Sequence, residues 1–134
     1  LLGKGSIIGG GVNGYLVATH ILLWSLDGDY RLQPHHRKAI ESGQPLWVSM
    51  ATLWEIAIKR SLGKLRAPGD LPEKLHMTGY RLLDITTRHI AALEALPHHH
   101  RDPFDRMLIA QARAEDLIIV TLDDQFARYA VQLS

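Results

Sequence analysis

Residues 102–121 read Asp-Pro-Phe-Asp-Arg-Met-Leu-Ile-Ala-Gln-Ala-Arg-Ala-Glu-Asp-Leu-Ile-Ile-Val-Thr, and this stretch decides the fold class. Pro103 suits the first turn of a helix, and the apolar positions that follow it continue that helix towards Asp116. Residues 117–121 then form a short apolar run of the kind that a buried parallel strand shows. A helix that leads straight into a buried strand is typical of an α/β domain.

The same alternation extends outward from this stretch to Tyr15 and to the end of the sequence. Short apolar runs predict strands at 15–18, 46–49 and 80–85, with a final edge strand at 131–133. Helical spacing and turn residues predict helices at 19–24 (with Thr19 as its N-cap), 34–42, 51–62, 70–77 (with Asp70 as its cap), 86–96 and 124–128. We therefore expect an α/β fold around a central, mostly parallel sheet.

Composition restricts the class of protein without naming an activity. The chain has 134 residues, enough for one domain with a sizeable core, and its net charge of +1 neither favours nor excludes nucleic acid. It has no cysteine, which excludes disulfides and thiolate metal sites and is compatible with a reducing cytoplasm. Since no apolar run approaches the roughly 20 residues of a membrane span, we expect a cytoplasmic protein.

The first fourteen residues differ from the rest of the sequence. Residues 1–14 are rich in glycine and show no clear period, so we interpret them as a leader, a flexible arm or, preferably, an expression-derived remnant. The Gly-x-Gly at Gly3 and Gly5 does not follow a strand, and no Gly-Lys-Ser/Thr closes a phosphate loop. The folded domain is predicted to cover 15–134.

Acidic residues follow the ends of several predicted strands. Ligands of open parallel sheets bind beyond the carboxyl ends of the strands, which is where these acids are expected to lie. Acidic, oxygen-rich sites suit Mg²⁺ or Mn²⁺ better than zinc. The residues concerned are Glu55, Asp102, Asp105, Asp123 and Asp124, together with Thr121.

Each of these acids also has a structural interpretation. Glu55 could simply face solvent, and Asp102 before Pro103 is a natural helix N-cap. Asp105 in the first helical turn is favoured by the helix dipole, and Asp123 and its neighbour could be turn or cap residues. The histidines are ambiguous in the same way: we interpret residues 98–100 as a solvated loop and His20 as a packed or capping residue.

Taken together, these segments resemble the PIN-domain family, specifically its VapC-type toxins. The segments are HRDPFDRMLIAQA at 100–112, SMATLWEIAIK at 49–59, LGKL at 62–65, VTLDDQF at 120–126 and YLVATHILLW at 15–24. They occur in the family's order from Tyr15 to the C-terminus. The resemblance implies a three-layer α/β/α fold, a metal-dependent ribonuclease, a homodimer and a cognate antitoxin whose tail crosses the acidic groove.

The resemblance also assigns roles to individual positions. Glu55, Asp105 and Asp123 match the family's metal-binding acids, with Mg²⁺ or Mn²⁺ as the cofactor. Thr121 matches a supporting hydroxyl residue, and Asp102 fits a helix cap beside the site. The family's opening strand normally ends in Asp-Thr-His, and this sequence has Ala18 in place of that aspartate.

Ala18 leaves two interpretations of the chain open. It is either a deliberate inactivating change in a toxin ribonuclease that cleaves RNA, or the mark of a naturally degenerate domain that binds RNA or a protein without cutting. A phosphatase on a similar sheet is disfavoured because no Asp-x-Asp follows the first strand.

The helices at 30–80 are expected to present apolar side chains to an antitoxin or a second protomer. The candidates are Trp54, Leu62, Leu65 and Met77. For Trp54 itself we favour a position in the core.

Overall fold

Strands and helices alternate along the chain in the computed structural model, which describes residues 13–99, 102–123 and 126. In chain order the elements are β1 (Tyr15–Val17), α1 (Thr19–Asp27), α2 (Pro34–Ile40), β2 (Leu46–Ser49), α3 (Met50–Ser61), α4 (Leu71–Met77), β3 (Tyr80–Leu83), α5 (Thr87–Glu94), α6 (Pro103–Glu115) and β4 (Ile118–Val120). Within these ranges, no helix has the length and apolar character needed to cross a membrane.

The four described strands form one sheet in the order β3-β2-β1-β4, and every neighbouring pair is parallel. Tyr15 of β1 lies opposite Leu46 of β2 on one side and Ile118 of β4 on the other. The first strand of the sequence is therefore an interior strand. The predicted helix at 124–128, apart from Phe126, and the predicted edge strand at 131–133 lie outside the described residues.

Side chains that alternate along each strand create two core layers, one on each face of the sheet. Leu16 and Ile119 pack with residues of α5 and α6, whereas Val17 and Val120 pack with residues of α1, α3 and α4. Helices thus cover both faces, and the expected three-layer α/β/α architecture is confirmed.

Gly14 allows β1 to enter the sheet beside β2. Its φ of 122° lies in a region that favours glycine, and a Cβ at this position would lie 2.3 Å from the carbonyl oxygen of Pro45. The same oxygen accepts a hydrogen bond from the Tyr15 N–H at 2.8 Å. A larger residue would push apart the first pairing of the central strand.

Some element boundaries differ from the sequence predictions. Ala18, and not Thr19, is the N-cap of α1, and Thr19 is the first residue of the helix. Asp70 occupies the N-cap position of α4, but its side chain makes no capping hydrogen bond. The strand predicted at 80–85 ends at Leu83. The Thr19 difference has a physical reason, because its hydroxyl bonds to a carboxylate on another helix.

Trp54 is not in the core, so that expectation was wrong. It is 61% exposed, while Ile56 on the same helix is buried against the sheet. Trp54 belongs to an apolar stripe on the outer face of α3, spaced every four residues and therefore on one side of the helix. We call this set the α3 stripe; it consists of Met50, Trp54, Ile58 and Leu62.

A buried histidine joins α5 to α6. His89 has no exposed surface, and its Nδ1 accepts a hydrogen bond from the Thr86 N–H at 3.1 Å. Because a backbone N–H can only donate, the ring proton is placed on Nε2, which lies 2.6 Å from Glu115 Oε2. The Gln111 side-chain amide also contacts Nδ1, at 3.3 Å. These bonds fix α6 against α5.

We expect His89→Ala to lower the free energy of unfolding by about 3 kcal/mol, because it opens a cavity and removes partners of buried polar groups. Arg88→Ala is the matched control. Arg88 also contacts Glu115, at 3.3 Å, but its side chain is largely exposed, so its loss should cost at most about 1 kcal/mol. Urea denaturation measures both values, and equal losses would contradict the role assigned to His89.

Candidate active site at the carboxyl end of the sheet

A cavity of about 220 Å³ lies where β1 and β4 end and where α3 and α6 begin to pack. Because parallel strands all finish at one edge of the sheet, residues distant in sequence meet there. The lining residues are Ala18, Thr19, His20, Ile21, Glu55, Lys59, Asp102, Asp105, Thr121, Leu122, Asp123 and Phe126.

Glu55 is the most buried acid of this cavity and is only 7% exposed. Its position on α3 is fixed by Ser49, a buried N-cap whose hydroxyl accepts a hydrogen bond from the Ala51 N–H at 3.0 Å. Both carboxylate oxygens of Glu55 have partners: Oε1 accepts from the Thr19 hydroxyl at 2.7 Å, and Oε2 from Lys59 Nζ at 2.9 Å. A buried carboxylate requires such donors because leaving water is costly for a charge.

Asp102 and Asp105 reach the cavity from the first turn of α6. Asp102 is the N-cap, and its Oδ1 accepts from the N–H groups of Phe104 at 2.8 Å and of Asp105 at 3.1 Å. The capping role expected for Asp102 is therefore confirmed. Since the cap determines where the helix begins, Asp102 also determines where Asp105 is presented to the cavity.

Asp123 follows β4 and is presented by a short turn. The Thr121 hydroxyl accepts a hydrogen bond from the Asp123 N–H at 3.1 Å. This bond supports the backbone that carries Asp123.

Ala18 stands at the end of the interior strand. Its N–H donates to the Val120 carbonyl at 3.0 Å, and its own carbonyl accepts from the Leu22 N–H at 2.9 Å. As the N-cap of α1 it provides no side-chain cap. An aspartate here would supply the side-chain cap that α1 lacks, at a position that lines the cavity.

Charge in the cavity is partly balanced from within. The pKa of Lys59 is raised above its usual value, chiefly by the hydrogen bond to Glu55, against the opposing effect of burial, and further by attraction to Glu55, Asp102 and Asp105. Among residues 13–99, 102–123 and 126, no three histidine, aspartate or glutamate side chains are close enough together to hold a metal ion as they stand. Glu55, Asp105 and Asp123 share the cavity but do not form a closed cage.

The structure separates the remaining candidates. His98 and His99 are exposed and do not line the cavity, whereas His20 does line it, with its ring centroid 6.0 Å from that of Trp24. Lys59 was not among the residues expected at the site, and the N-cap position expected for Thr19 was wrong. For Lys59 the available signal was its position four residues after Glu55, one turn along a helix.

Several solved structures share this fold. VapBC2 from Rickettsia felis, bound to a promoter DNA fragment, gives a TM-score of 0.67 at 16% identity, covering 90% of this chain and 96% of that chain. FitAcB from Neisseria gonorrhoeae gives a TM-score of 0.64 at 17% identity, covering 89% of this chain and 95% of that chain. A toxin–antitoxin complex from Klebsiella pneumoniae gives a TM-score of 0.59 at 18% identity, covering 85% of this chain and 91% of that chain. At these identities the likeness shows the fold.

The family is shown by the sequence itself. The PIN domain model matches residues 15–132, which is most of the chain. The chain therefore belongs to the PIN domain family, and the resemblance drawn from its motifs is confirmed at that level. A comparison with curated protein sequences gave no match.

We expect Thr19→Val to lower the free energy of unfolding by about 2 kcal/mol, because the buried Glu55 carboxylate loses a hydrogen-bond donor at nearly constant volume. Thr87→Val is the control, since Thr87 is also the first residue of a helix, α5, but is exposed. That variant should change stability by no more than about 0.5 kcal/mol. Similar losses in the two variants, measured by chemical denaturation, would show that the Thr19–Glu55 bond does not stabilise the fold.

Proposed function

We propose that the chain is a VapC-type toxin, a metal-dependent endoribonuclease that a cognate antitoxin neutralises, and that Ala18 weakens its catalysis. One observation carries the proposal: Glu55 of α3, Asp105 of α6 and Asp123 in the turn after β4 line one cavity at the carboxyl end of the sheet. The membership of the PIN family and the fold shared with a toxin–antitoxin complex support it.

The donor chemistry of the cavity fits Mg²⁺ or Mn²⁺. Its candidate ligands are all carboxylate oxygens, the donors that these hard cations prefer, and neither cysteine nor a histidine cluster competes with them in the described structure. Two features work against tight binding: the position after β1 carries Ala18, and one oxygen of Glu55 is paired with Lys59. We therefore propose Glu55, Asp105 and Asp123 as ligands of a weakly held ion.

When bound, the ion would supply an activated water and stabilise negative charge on the phosphate during hydrolysis. The chain's own residues orient the ligands for this purpose. Thr19 donates to Glu55 and fixes its carboxylate, Asp102 sets the start of α6 that carries Asp105, and Thr121 supports the turn that carries Asp123. No protein nucleophile is required.

Ala18 favours a second candidate function. The interior strand ends at this position, so a carboxylate there would stand between Glu55 of α3 and Asp123 after β4. Alanine offers no oxygen ligand, and its methyl group does not disturb the strand end. A PIN domain that binds RNA or a protein without cutting is the function that this substitution favours.

Restoring an acid separates the two functions. We expect Ala18→Asp to raise metal-dependent cleavage of single-stranded RNA at least about a hundredfold, since each tenfold gain corresponds to about 1.4 kcal/mol of transition-state stabilisation. Adding Asp105→Asn should abolish the gain. Cleavage of a fluorescent RNA with Mg²⁺ and with Mn²⁺ measures both effects.

Two control variants accompany this test. Ala18→Asn adds a capping side chain of the same shape without the charge, and Asp27→Asn added to Ala18→Asp removes an exposed acid at the far end of α1. The cleavage rate of Ala18→Asn should stay within a few-fold of that of the unmodified chain. The rate of the double variant should stay within a few-fold of that of Ala18→Asp. A folded Ala18→Asp protein that stays inert on RNA with both metals would contradict the nuclease and favour the binding module.

The partner that we propose is an antitoxin lying across the α3 stripe and the cavity. Trp54 packs edge-on against Phe104, with ring centroids 5.2 Å apart, and Phe104 precedes Asp105, so the apolar surface adjoins the acids. A segment that combines apolar side chains with an Arg or Lys would complement both parts. The homodimer implied by the family resemblance stays a prediction, which light scattering on the isolated chain would test.

We expect Trp54→Ala to weaken the complex with the proposed antitoxin at least about tenfold, because tryptophans at interfaces are frequent hot spots of binding. Ile90→Ala is the control, since Ile90 is also an exposed apolar residue but lies on α5, outside the stripe. Titration calorimetry on co-expressed and separated proteins measures the affinities. Equal effects of the two variants, or no complex at all, would contradict this surface.

A further inference from the structure

Lys59 holds a cationic group at the site where the proposed metal would bind. It lies one helical turn after Glu55 on α3, and its Nζ is 2.9 Å from Glu55 Oε2. The two side chains differ in exposure: that of Lys59 is 42% exposed and that of Glu55 is 10% exposed. The pair therefore joins a fixed buried acid to a cation that water can reach.

The surroundings of Lys59 point in the same direction. Lys59 lines the cavity together with Asp102 and Asp105, and both of these acids attract its ammonium group. Thr19 already occupies the other oxygen of Glu55. A further cation that approaches Glu55 in this arrangement meets a carboxylate whose two oxygens are both engaged.

We infer that Lys59 is an internal counter-ion that competes with a divalent cation for Glu55. The inference rests on the proposed metal site and specifies how that site is regulated. In the cation-free protein, Lys59 offsets the mutual repulsion of the cavity acids. When a divalent ion binds, the exposed lysine side chain turns out into solvent and releases Glu55, which stays in place through its bond to Thr19.

The effect of removing the lysine distinguishes this role from that of an ordinary helical salt bridge. A pair four residues apart that only supports α3 would contribute a few tenths of a kcal/mol to the helix, and its loss would leave metal affinity unchanged or lower. A competing cation has the opposite effect on binding. Its removal leaves Glu55 available and makes the cavity more negative, so the affinity for a divalent ion rises.

The test measures Mn²⁺ binding by titration calorimetry on the chain with Ala18 in place. We expect Lys59→Met to bind Mn²⁺ about tenfold more tightly than the unmodified chain, a change of about 1.4 kcal/mol. Lys59→Arg keeps a cation beside Glu55 and should stay close to the unmodified chain. Lys64→Met is the matched control, because it removes the same charge just beyond α3 from an exposed residue that does not line the cavity.

A second measurement follows Lys59 in the unmodified protein and uses a variant only to assign its signal. In the unmodified protein, the ammonium signal of Lys59, identified through Lys59→Arg, is followed by NMR during titration with Mg²⁺. We expect its chemical shift to move from that of a lysine paired with a carboxylate to that of a solvated lysine as the ion binds. A Lys59 chemical shift that stays unchanged at saturating Mg²⁺ would overturn the inference, as would equal Mn²⁺ affinities of Lys59→Met, Lys64→Met and the unmodified chain.

The outcomes also separate this inference from the proposed function. Tighter Mn²⁺ binding by Lys59→Met, with no RNA cleavage by Ala18→Asp, would support the counter-ion and reject the nuclease. RNA cleavage by Ala18→Asp, together with equal Mn²⁺ affinities of Lys59→Met and the unmodified chain, would support the nuclease and reject the counter-ion. Absence of Mn²⁺ binding by every variant, including Ala18→Asp, would overturn both.

Discussion

Mutual repulsion between carboxylates that share one small cavity is the constraint on which the rest of this structure depends. Parallel strands bring Glu55, Asp105 and Asp123 to the same edge, and the fold must then hold them in one cavity against their mutual repulsion. A different local structure holds each acid. Glu55 accepts hydrogen bonds from a hydroxyl and an ammonium group, and Asp105 lies in the first turn of a helix. Asp123 is carried by a turn that the Thr121 hydroxyl supports. The negative charge of the cavity is therefore partly offset by the chain's own groups.

The scaffold around the cavity is built to resist this repulsion. β1 lies between β2 and β4, and the core layers on both faces of the sheet hold the strand ends in register. Further away, the buried His89 fixes α6 against α5, and the position of α6 sets that of Asp105. Packing, and not attraction between the site residues, keeps the acids together.

The fold was largely predictable from the sequence because its signals are local and repeated. Short apolar runs bounded by turn residues located the described strands, and Pro103 after Asp102 located the start of α6. Errors arose where a side chain has two possible partners. Thr19 is a residue type that often caps helices, but its hydroxyl donates to the Glu55 carboxylate on another helix. Trp54 is a residue type that is often buried, but on α3 it is Ile56 that packs in the core.

The site was predictable in its acids but not in its cation. The acids could be identified because they lie in recognisable sequence motifs. The pairing of Lys59 with Glu55 depends instead on which rotamer the flexible lysine side chain adopts. Helical spacing allows that contact without requiring it, because a lysine one turn from a glutamate can equally remain in water.

The position of β1 has a consequence for the order in which the protein becomes functional. Its partner β4 follows the other described strands in the chain, so during synthesis the interior strand gains its second neighbour only after residues 118–120 have been added. A contact so distant in sequence closes a long loop, and such contacts form more slowly than local ones. A nascent chain therefore carries Glu55 before the residues that complete the cavity are present.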